Sequence, residues 1–210
     1  MSGPVLLTAP GESPDNFTSA FLTSDSERLC IASDAELPSG AGGLLLCGES
    51  TYGAANETPS PALARAIELD IPVLGVGWGM HALNVALGGR RPVRLADAVV
   101  AGPRPGRRGR TVELGRMRTF LTLGGKVAAT IGAGGPVATP GPGEFAIREA
   151  EKAPALMASA YDMETGAIEA LEMPGYHWVI GVTWPLHRPE LLPAGFDNLI
   201  AAFLERSVTV

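Results

Sequence analysis

Short apolar runs recur through the first half of the chain and alternate with segments of helical spacing. Val, Leu, Ile and Ala dominate four runs, which predicts strands at Pro4–Thr8, Arg28–Ala32, Gly43–Gly48 and from Ile71 onward. Apolar spacing predicts helices at Asn16–Thr23, Pro59–Leu69 and Trp78–Leu87. This alternation indicates a three-layer α/β protein, with a mostly parallel central sheet covered by helices on both faces.

The second half of the chain is less regular and contains two segments of loop composition. Pro, Gly and Arg dominate Pro103–Arg110, while Pro and Gly dominate Gly132–Gly143. Beyond them, strands are predicted at Ala155–Ala160, Ala167–Leu171 and Trp178–Trp184, and a closing amphipathic helix at Phe196–Leu204. Neither a repeat nor a dividing linker is evident, so residues 1–210 are expected to form one domain.

Composition and charge narrow the classes of partner. The 210 residues are 46% hydrophobic and carry a formal net charge of −6, which argues against nucleic acid or an acidic membrane surface as a partner. With Cys30 and Cys47 as the two cysteines, no disulfide framework is implied, and a cytoplasmic location is the simpler expectation. The uncharged stretch 71–89 reaches membrane-span length, but five glycines, Pro72 and Asn84 interrupt it, so no membrane span is expected.

The candidate chemistry centres on the strand that begins at Ile71. A buried strand, a sharp turn with small residues and a helix form the arrangement that raises a nucleophile above a parallel sheet. The position that should carry Cys or Ser is Gly77. Gly48 ends another predicted strand, and the carboxyl ends of parallel strands share one edge of a sheet. We therefore expect Gly48 and Gly77 to face a common crevice.

Three segments of the chain resemble the class I glutamine amidotransferase superfamily, most closely its γ-glutamyl hydrolase (peptidase C26-type) branch. They are the apolar strand Gly43–Gly48, the stretch Pro72–Gly89, and Ala158–Glu172 followed by Gly181–Trp184. The second is close to the branch's Pro-Ile-Leu-Gly-Ile-Cys-Arg-Gly-Met-Gln-Leu-Leu-Asn-Val-Ala-Leu-Gly-Gly. The resemblance implies a flavodoxin-like α/β fold, a Cys nucleophile, a His base, a Glu that orients the His, and backbone N–H donors for an oxyanion.

The sequence departs from this pattern at each catalytic position. Gly77 replaces the nucleophile, and Pro185 stands where the resemblance places the His. Only a short insertion would let His187 and Glu190 act as base and orienting acid, with spacing one residue too long. The segment Val137–Gly143 lacks the paired histidines found in the hydrolase branch. Ordinary glutaminase or γ-glutamyl hydrolase activity is therefore not expected, because removal of an activated nucleophile lowers the rate by orders of magnitude.

The leading interpretation is a catalytically degenerate amidotransferase-like protein that needs no cofactor. It would bind a small carboxylate or amide ligand, or act as a non-hydrolytic partner of an enzyme or of its own copies. Loss of the side chain at position 77 should open space above the helix N-terminus, where backbone N–H groups favour anions. The expected ligand-binding residues are Gly48, Gly77, Trp78, Gly79 and His81.

Several alternatives stay open at the level of sequence. An enzyme of changed chemistry would use Trp78, Cys47, His81 and the His187–Glu190 pair for acid–base work, without a covalent intermediate, on a γ-glutamyl or other amino-acid-derived substrate. Cys47 is more often a small buried residue than a displaced nucleophile, and Trp178 and Trp184 have the spacing of core residues. A dinucleotide-binding turn is a weaker alternative, since its third glycine would fall at Met80. The three histidines have no metal-ligand spacing.

An arginine-rich segment follows the predicted elbow helix. Between positions 90 and 118 lie nine arginines against Asp97 and Glu113. Such segregation is typical of a solvated loop, or of a surface that meets an anion or an acidic partner. The arginines are Arg90, Arg91, Arg94, Arg104, Arg107, Arg108, Arg110, Arg116 and Arg118.

Overall fold

A mixed sheet of nine strands runs through the described part of the chain. The computed structural model describes residues 3–9, 12–15, 17–18, 29–31, 35–48, 60–95 and 117–208. The strands are β1 Gly3–Thr8, β2 Leu29–Ile31, β3 Ala41–Gly48, β4 Val73–Gly77, β5 Val93–Arg94, β6 Met117–Leu121, β7 Gly135–Thr139, β8 Phe145–Ala146, β9 Met157–Asp162, β10 Ile168–Glu172 and β11 Val179–Val182. The helices are α1 Pro61–Glu68, α2 Trp78–Ala86, α3 Lys126–Ile131 and α4 Asn198–Ser207, with a 3-10 turn at Pro189–Leu191.

The strand order is β2-β1-β3-β4-β11-β10-β9-β6-β7, with β5 and β8 paired in a separate small sheet. From β2 to β11 the neighbours run parallel, whereas from β11 to β7 they run antiparallel. The predicted three-layer α/β fold is therefore confirmed. Its parallel half comes from the alternating strands and helices of the first half of the chain, joined by β11. The less regular second half supplies the antiparallel strands.

Both faces of the parallel half are covered, which explains why its strands are apolar throughout. On β3, Leu44 and Leu46 pack into the core on the face of α1 and α2. Leu45 and Cys47 pack into the core on the face of α3 and α4. Side chains alternate along a strand, so burial on both sides favours apolar residues at successive positions. These four side chains are at most 1% exposed.

The expected loop over Gly132–Gly143 is wrong in part, because it contains strand β7. Residues Gly135–Thr139 pair antiparallel with β6 at the edge of the sheet. Pro136 is tolerated there since an edge strand leaves one row of N–H groups without a ladder partner. Much of the arginine-rich segment, residues 96–116, lies outside the described residues, as does most of the predicted helix Asn16–Thr23. Within the described ranges, no helix is both long enough and apolar enough to cross a membrane.

Candidate functional site

Gly77 is the apex between strand and helix that the sequence predicts. It is the last residue of β4 and the residue before the first turn of α2, with φ 58° and ψ −113°. A positive φ suits glycine, which lacks the Cβ that makes this conformation strained for other residues. The elbow of the superfamily is thus retained in backbone form.

The space expected above this apex is filled. A Cβ built on Gly77 would lie 2.2 Å from the carbonyl oxygen of Gly48. The pairing of β3 with β4 places Gly48 directly opposite Gly77, which brings this oxygen over the apex. The expectation of an open space at the lost side chain is therefore wrong. The group of Gly48 nearest to the apex is a carbonyl oxygen, which is a hydrogen-bond acceptor.

Gly79 serves close packing beneath the apex. A Cβ on Gly79 would meet the carbonyl oxygen of Leu46 at 2.1 Å, and one on Gly75 would meet the carbonyl oxygen of Gly79 at 2.6 Å. Helix α2 therefore lies against β3 and β4 at a distance that only glycines permit. Gly79 does not line the cleft described next, unlike the other four expected ligand-binding residues.

A cleft of about 260 Å³ opens beside the apex. Gly48, Gly77, Trp78 and His81 form its floor. Two further segments line it and are called its walls: residues 141–145, and the segment with Thr183, Pro185, His187 and Arg188. The structure thus brings the elbow, the end of β3 and the segment after β11 to one crevice, as the parallel arrangement predicts.

Trp78 and His81 lie one helical turn apart on the face of α2 that meets the cleft. They are 5% and 6% exposed. Burial lowers the pKa of His81 to about 4, because the charged imidazolium is poorly solvated there. The imidazole is therefore neutral at pH 7. In that form it can serve as donor at one nitrogen and acceptor at the other.

The segment after β11 makes a tight turn that returns an imidazole to the cleft. The N–H of Leu186 donates to the carbonyl of Trp184 at 2.8 Å, and the N–H of Arg188 donates to that of Pro185, also at 2.8 Å. The ring of His187 meets Phe17 edge-on, with centroids 5.0 Å apart. The extra residues after Pro185 thus place His187 on the cleft wall. Arg188 lies beside it, a cleft residue that the sequence analysis missed.

Two of the three candidate catalytic residues lie away from the cleft. Cys47 is fully buried in the core, and burial raises the pKa of its thiol well above the ordinary value. A protonated, enclosed thiol is inert, so a displaced nucleophile at Cys47 is excluded by its position. Glu190 is exposed on the 3-10 turn, does not line the cleft, and its carboxylate bonds to no other described residue. The expected pairing of Glu190 with His187 is therefore wrong.

The wall of residues 141–145 carries one acidic side chain, Glu144. Arg94 of β5 forms an ion pair with it, and its Nε donates to Oε1 at 2.7 Å. This pair balances the negative charge of Glu144 at the rim. A buried acid, Glu169 of β10, is 0% exposed and does not line the cleft, but its backbone carbonyl accepts a hydrogen bond from the cleft residue Thr183. A Glu within the apolar run Ala167–Leu171 is the sequence signal that points to such a residue.

Comparison with known proteins decides the family. The profile of the peptidase C26 family matches residues 52–188, which is more than half of the chain. The chain belongs to the peptidase C26 family. Membership confirms the predicted resemblance to class I glutamine amidotransferases.

A relative and two solved structures extend this likeness. The chain is 36% identical over 122 residues to a protein of Mycobacterium tuberculosis named as a candidate glutamine amidotransferase. That match covers 58% of this chain and 37% of the relative, so the chain spans well under half of the relative's length.

The two structures share the fold. The glutaminase domain of Trypanosoma brucei CTPS with bound acivicin has a TM-score of 0.70 and 14% identity, with 99% of this chain and 94% of that chain covered. A protein from Thermoplasma acidophilum, named as a candidate GMP synthase subunit, has a TM-score of 0.65 and 13% identity, with 100% and 96% covered. At such identities the likeness concerns the fold alone.

Proposed function

We propose that this chain binds a small molecule with a carboxylate or amide group in the cleft at Gly77 and does not hydrolyse it. The observation that carries the proposal is the apex itself. The elbow backbone is retained, yet position 77 has no side chain and the carbonyl oxygen of Gly48 stands 2.2 Å from where a Cβ would be. A group that cannot attack a carbonyl carbon occupies the place of a nucleophile.

The other parts of a hydrolytic site also argue for a degenerate one. Pro185 lines the cleft at the position of the expected base and has no titratable group. His187 lines the cleft as well, but Glu190 does not bond to it. Covalent catalysis requires a nucleophile, a base within hydrogen-bond reach and a group that orients the base. Among the residues that the structure describes, the cleft supplies a candidate base without the other two.

The cleft suits a small, partly anionic ligand. Its volume of about 260 Å³ lies below the range of pockets for drug-sized molecules, so an amino acid is a better match in size. Arg188 provides positive charge on one wall, while the negative charge of Glu144 is offset by Arg94. The first N–H groups of α2 add a partial positive charge at the floor. Trp78 contributes an apolar surface for the stem of such a ligand.

Isothermal titration calorimetry with L-glutamine and L-glutamate tests this proposal, because the pair separates amide from carboxylate recognition. We expect one of them to bind, and Arg188→Ala to weaken the binding at least tenfold. Arg90→Ala is the matched control, since Arg90 is exposed and outside the cleft. Mass spectrometry of the recovered ligand should show it unchanged. Absence of binding by both, or equal loss in both variants, would contradict the proposal.

Turnover of either compound that His187→Ala abolishes would favour the alternative, an enzyme of changed chemistry on an amino-acid-derived substrate. A second role, as a non-hydrolytic partner of an enzyme, has one supporting observation. One protein of similar fold is named as a domain and another as one subunit of a synthase. Light scattering together with co-purification from the source organism tests this role. A chain that stays monomeric and alone would contradict it.

A further inference from the structure

Glu169 is a buried acid with an unusual set of partners. Its Oε2 lies 2.6 Å from the indole Nε1 of Trp184 and 2.9 Å from the hydroxyl oxygen of Thr139. The hydroxyl oxygen of Thr119 lies 3.0 Å from Oε1 and 2.9 Å from Oε2. The two threonine hydroxyls are themselves 2.6 Å apart. The four side chains are each 0–4% exposed, so they satisfy one another rather than water.

Counting protons shows which form of Glu169 this arrangement favours. The group has four contacts: Trp184 to Glu169, each threonine to Glu169, and Thr119 to Thr139. The indole and the two hydroxyls supply three protons, since each hydroxyl carries one. A charged carboxylate would therefore leave one of the four contacts without a proton. A neutral Glu169 supplies the fourth by donating to Thr119, which donates to Thr139, which donates back to Glu169.

This ring of hydrogen bonds joins the two walls of the cleft. The Thr139 hydroxyl accepts the N–H of Gly141 at 3.3 Å, and Gly141 lines one wall. The N–H of Thr183 donates to the backbone carbonyl of Glu169 at 2.9 Å, and Thr183 belongs to the second wall. Trp184 lies between Thr183 and Pro185 of that wall. Both walls are therefore linked to one residue, the wall of Gly141 through the Glu169 side chain and the wall of Thr183 through the Glu169 backbone carbonyl.

We propose that Glu169 is a positioning residue that is held neutral and links the two walls of the cleft, and that loss of its proton loosens the wall that contains Gly141. With the proton gone, three protons remain for four contacts. A charged carboxylate is the stronger acceptor, so we expect both hydroxyls to donate to it, which leaves the two hydroxyl oxygens 2.6 Å apart without a hydrogen between them. The contact between Thr119 and Thr139 then lengthens, and displacement of Thr139 moves Gly141 with it. The inference rests on the proposed function, since it concerns regulation of that same cleft.

The environment of Glu169 also favours its neutral, protonated form. Burial raises its pKa, and the carboxylate of Asp162 on β9 raises it further, partly offset by the hydrogen bonds from Trp184 and the threonines. Asp162 lies opposite Thr119 in the pairing of β6 with β9, and its Oδ1 accepts N–H bonds from Glu164 and Thr165. Strands β7 and β11 contain no ionisable residue. Tyr161 alternates to the other face of β9.

Nuclear magnetic resonance of the unliganded protein tests this link without any ligand, so its outcome is separate from that of the binding experiment. We expect the Glu169 carboxyl carbon to titrate with a midpoint above the ordinary Glu value of about 4.3. The Trp184 indole N–H and the backbone N–H signals of Gly141 and Thr183 should shift with the same midpoint. In Glu169→Gln, which keeps a neutral donor and acceptor, this shared titration should vanish while the signals stay near their low-pH positions.

Two results would overturn the proposal. The first is a Glu169 carboxyl that titrates at or below the ordinary value. The second is a Trp184 signal that follows Glu169 while Gly141 and Thr183 do not, because the acid would then be structural without any link to the cleft. The first measurement uses the wild-type chain and so does not depend on whether a variant folds.

Discussion

Substitution of Gly77 by Ala tests the central geometric claim about the apex. The new Cβ would lie 2.2 Å from the carbonyl oxygen of Gly48, whereas real Cβ atoms essentially never approach closer than 3.0 Å. The end of β3 must therefore move by at least 0.8 Å, the difference between these distances. Such overpacking destabilises a protein by about 1–3 kcal/mol. The positive φ adds roughly 1–3 kcal/mol of backbone strain.

The free energy of unfolding should therefore fall by about 2–6 kcal/mol. For a chain of this size each kcal/mol lowers the melting temperature by about 2–4 °C. Urea denaturation followed by tryptophan fluorescence measures the change. Gly88→Ala is the matched control, because Gly88 also has a positive φ, of 88°, but its Cβ would meet no atom within 4 Å. The difference between the two variants isolates the contact with Gly48.

Equal destabilisation by the two substitutions would refute the reasoning, since it would place the Gly48 carbonyl away from the apex. The same geometry bears on the introduction of a nucleophile at this position. Gly77→Cys should be destabilised at least as much as Gly77→Ala, and it should not acquire measurable glutaminase activity. A folded, active Gly77→Cys variant would show that the cleft retains a working base and oxyanion site.

Three further predictions concern buried polar groups. Asn84→Ala should lower the free energy of unfolding by about 2–4 kcal/mol, because the Asn84 amide donates to the carbonyls of Arg90 and Glu151 and accepts from the N–H of Ala153. Urea denaturation measures the change, with substitution of the exposed Asn198 by Ala as the control. An equal loss of stability in the two variants would contradict this role of Asn84. His81 is neutral in the fold because its pKa is lowered to about 4. As pH falls from about 6.5 to 4, the free energy of unfolding of the wild type should therefore fall by roughly 3 kcal/mol relative to that of His81→Gln. Parallel curves of stability against pH for the two proteins would contradict this. Burial raises the pKa of Glu169, so the wild type should lose stability relative to Glu169→Gln as pH rises above about 4.3. A difference in the free energy of unfolding between the two proteins that does not change with pH would argue for a charged Glu169.

The parallel half of the fold could be predicted because each of its strands and helices is encoded by a pattern of consecutive residues. Each apolar run on β1, β3 and β4 is buried on both faces, and such runs are legible in the sequence. The elbow was legible as well, since a strand, a turn of small residues and a helix occupy consecutive positions. Glycine at position 77 is also consistent with the positive φ that this residue adopts in the structure.

The remaining features depend on contacts between residues far apart in the chain. The position of the Gly48 carbonyl follows from the register of β3 against β4, which no local pattern specifies. The ring around Glu169 joins residues 15 to 50 positions away, and threonines on two different strands give no periodic signal. Strand β7 was missed because Gly and Pro indicate loops, whereas its pairing with β6 at a sheet edge overrides that tendency.

The carbonyl of Gly48 limits which residues position 77 can accept. A mutation that introduced cysteine there would meet a backbone atom, and backbone atoms cannot be removed by changing a codon. A second change would have to withdraw the end of β3, and that change alone gives the chain no nucleophile. Single substitutions at position 77 therefore have no favourable first step toward a nucleophile, and selection acts instead on what the crevice can hold.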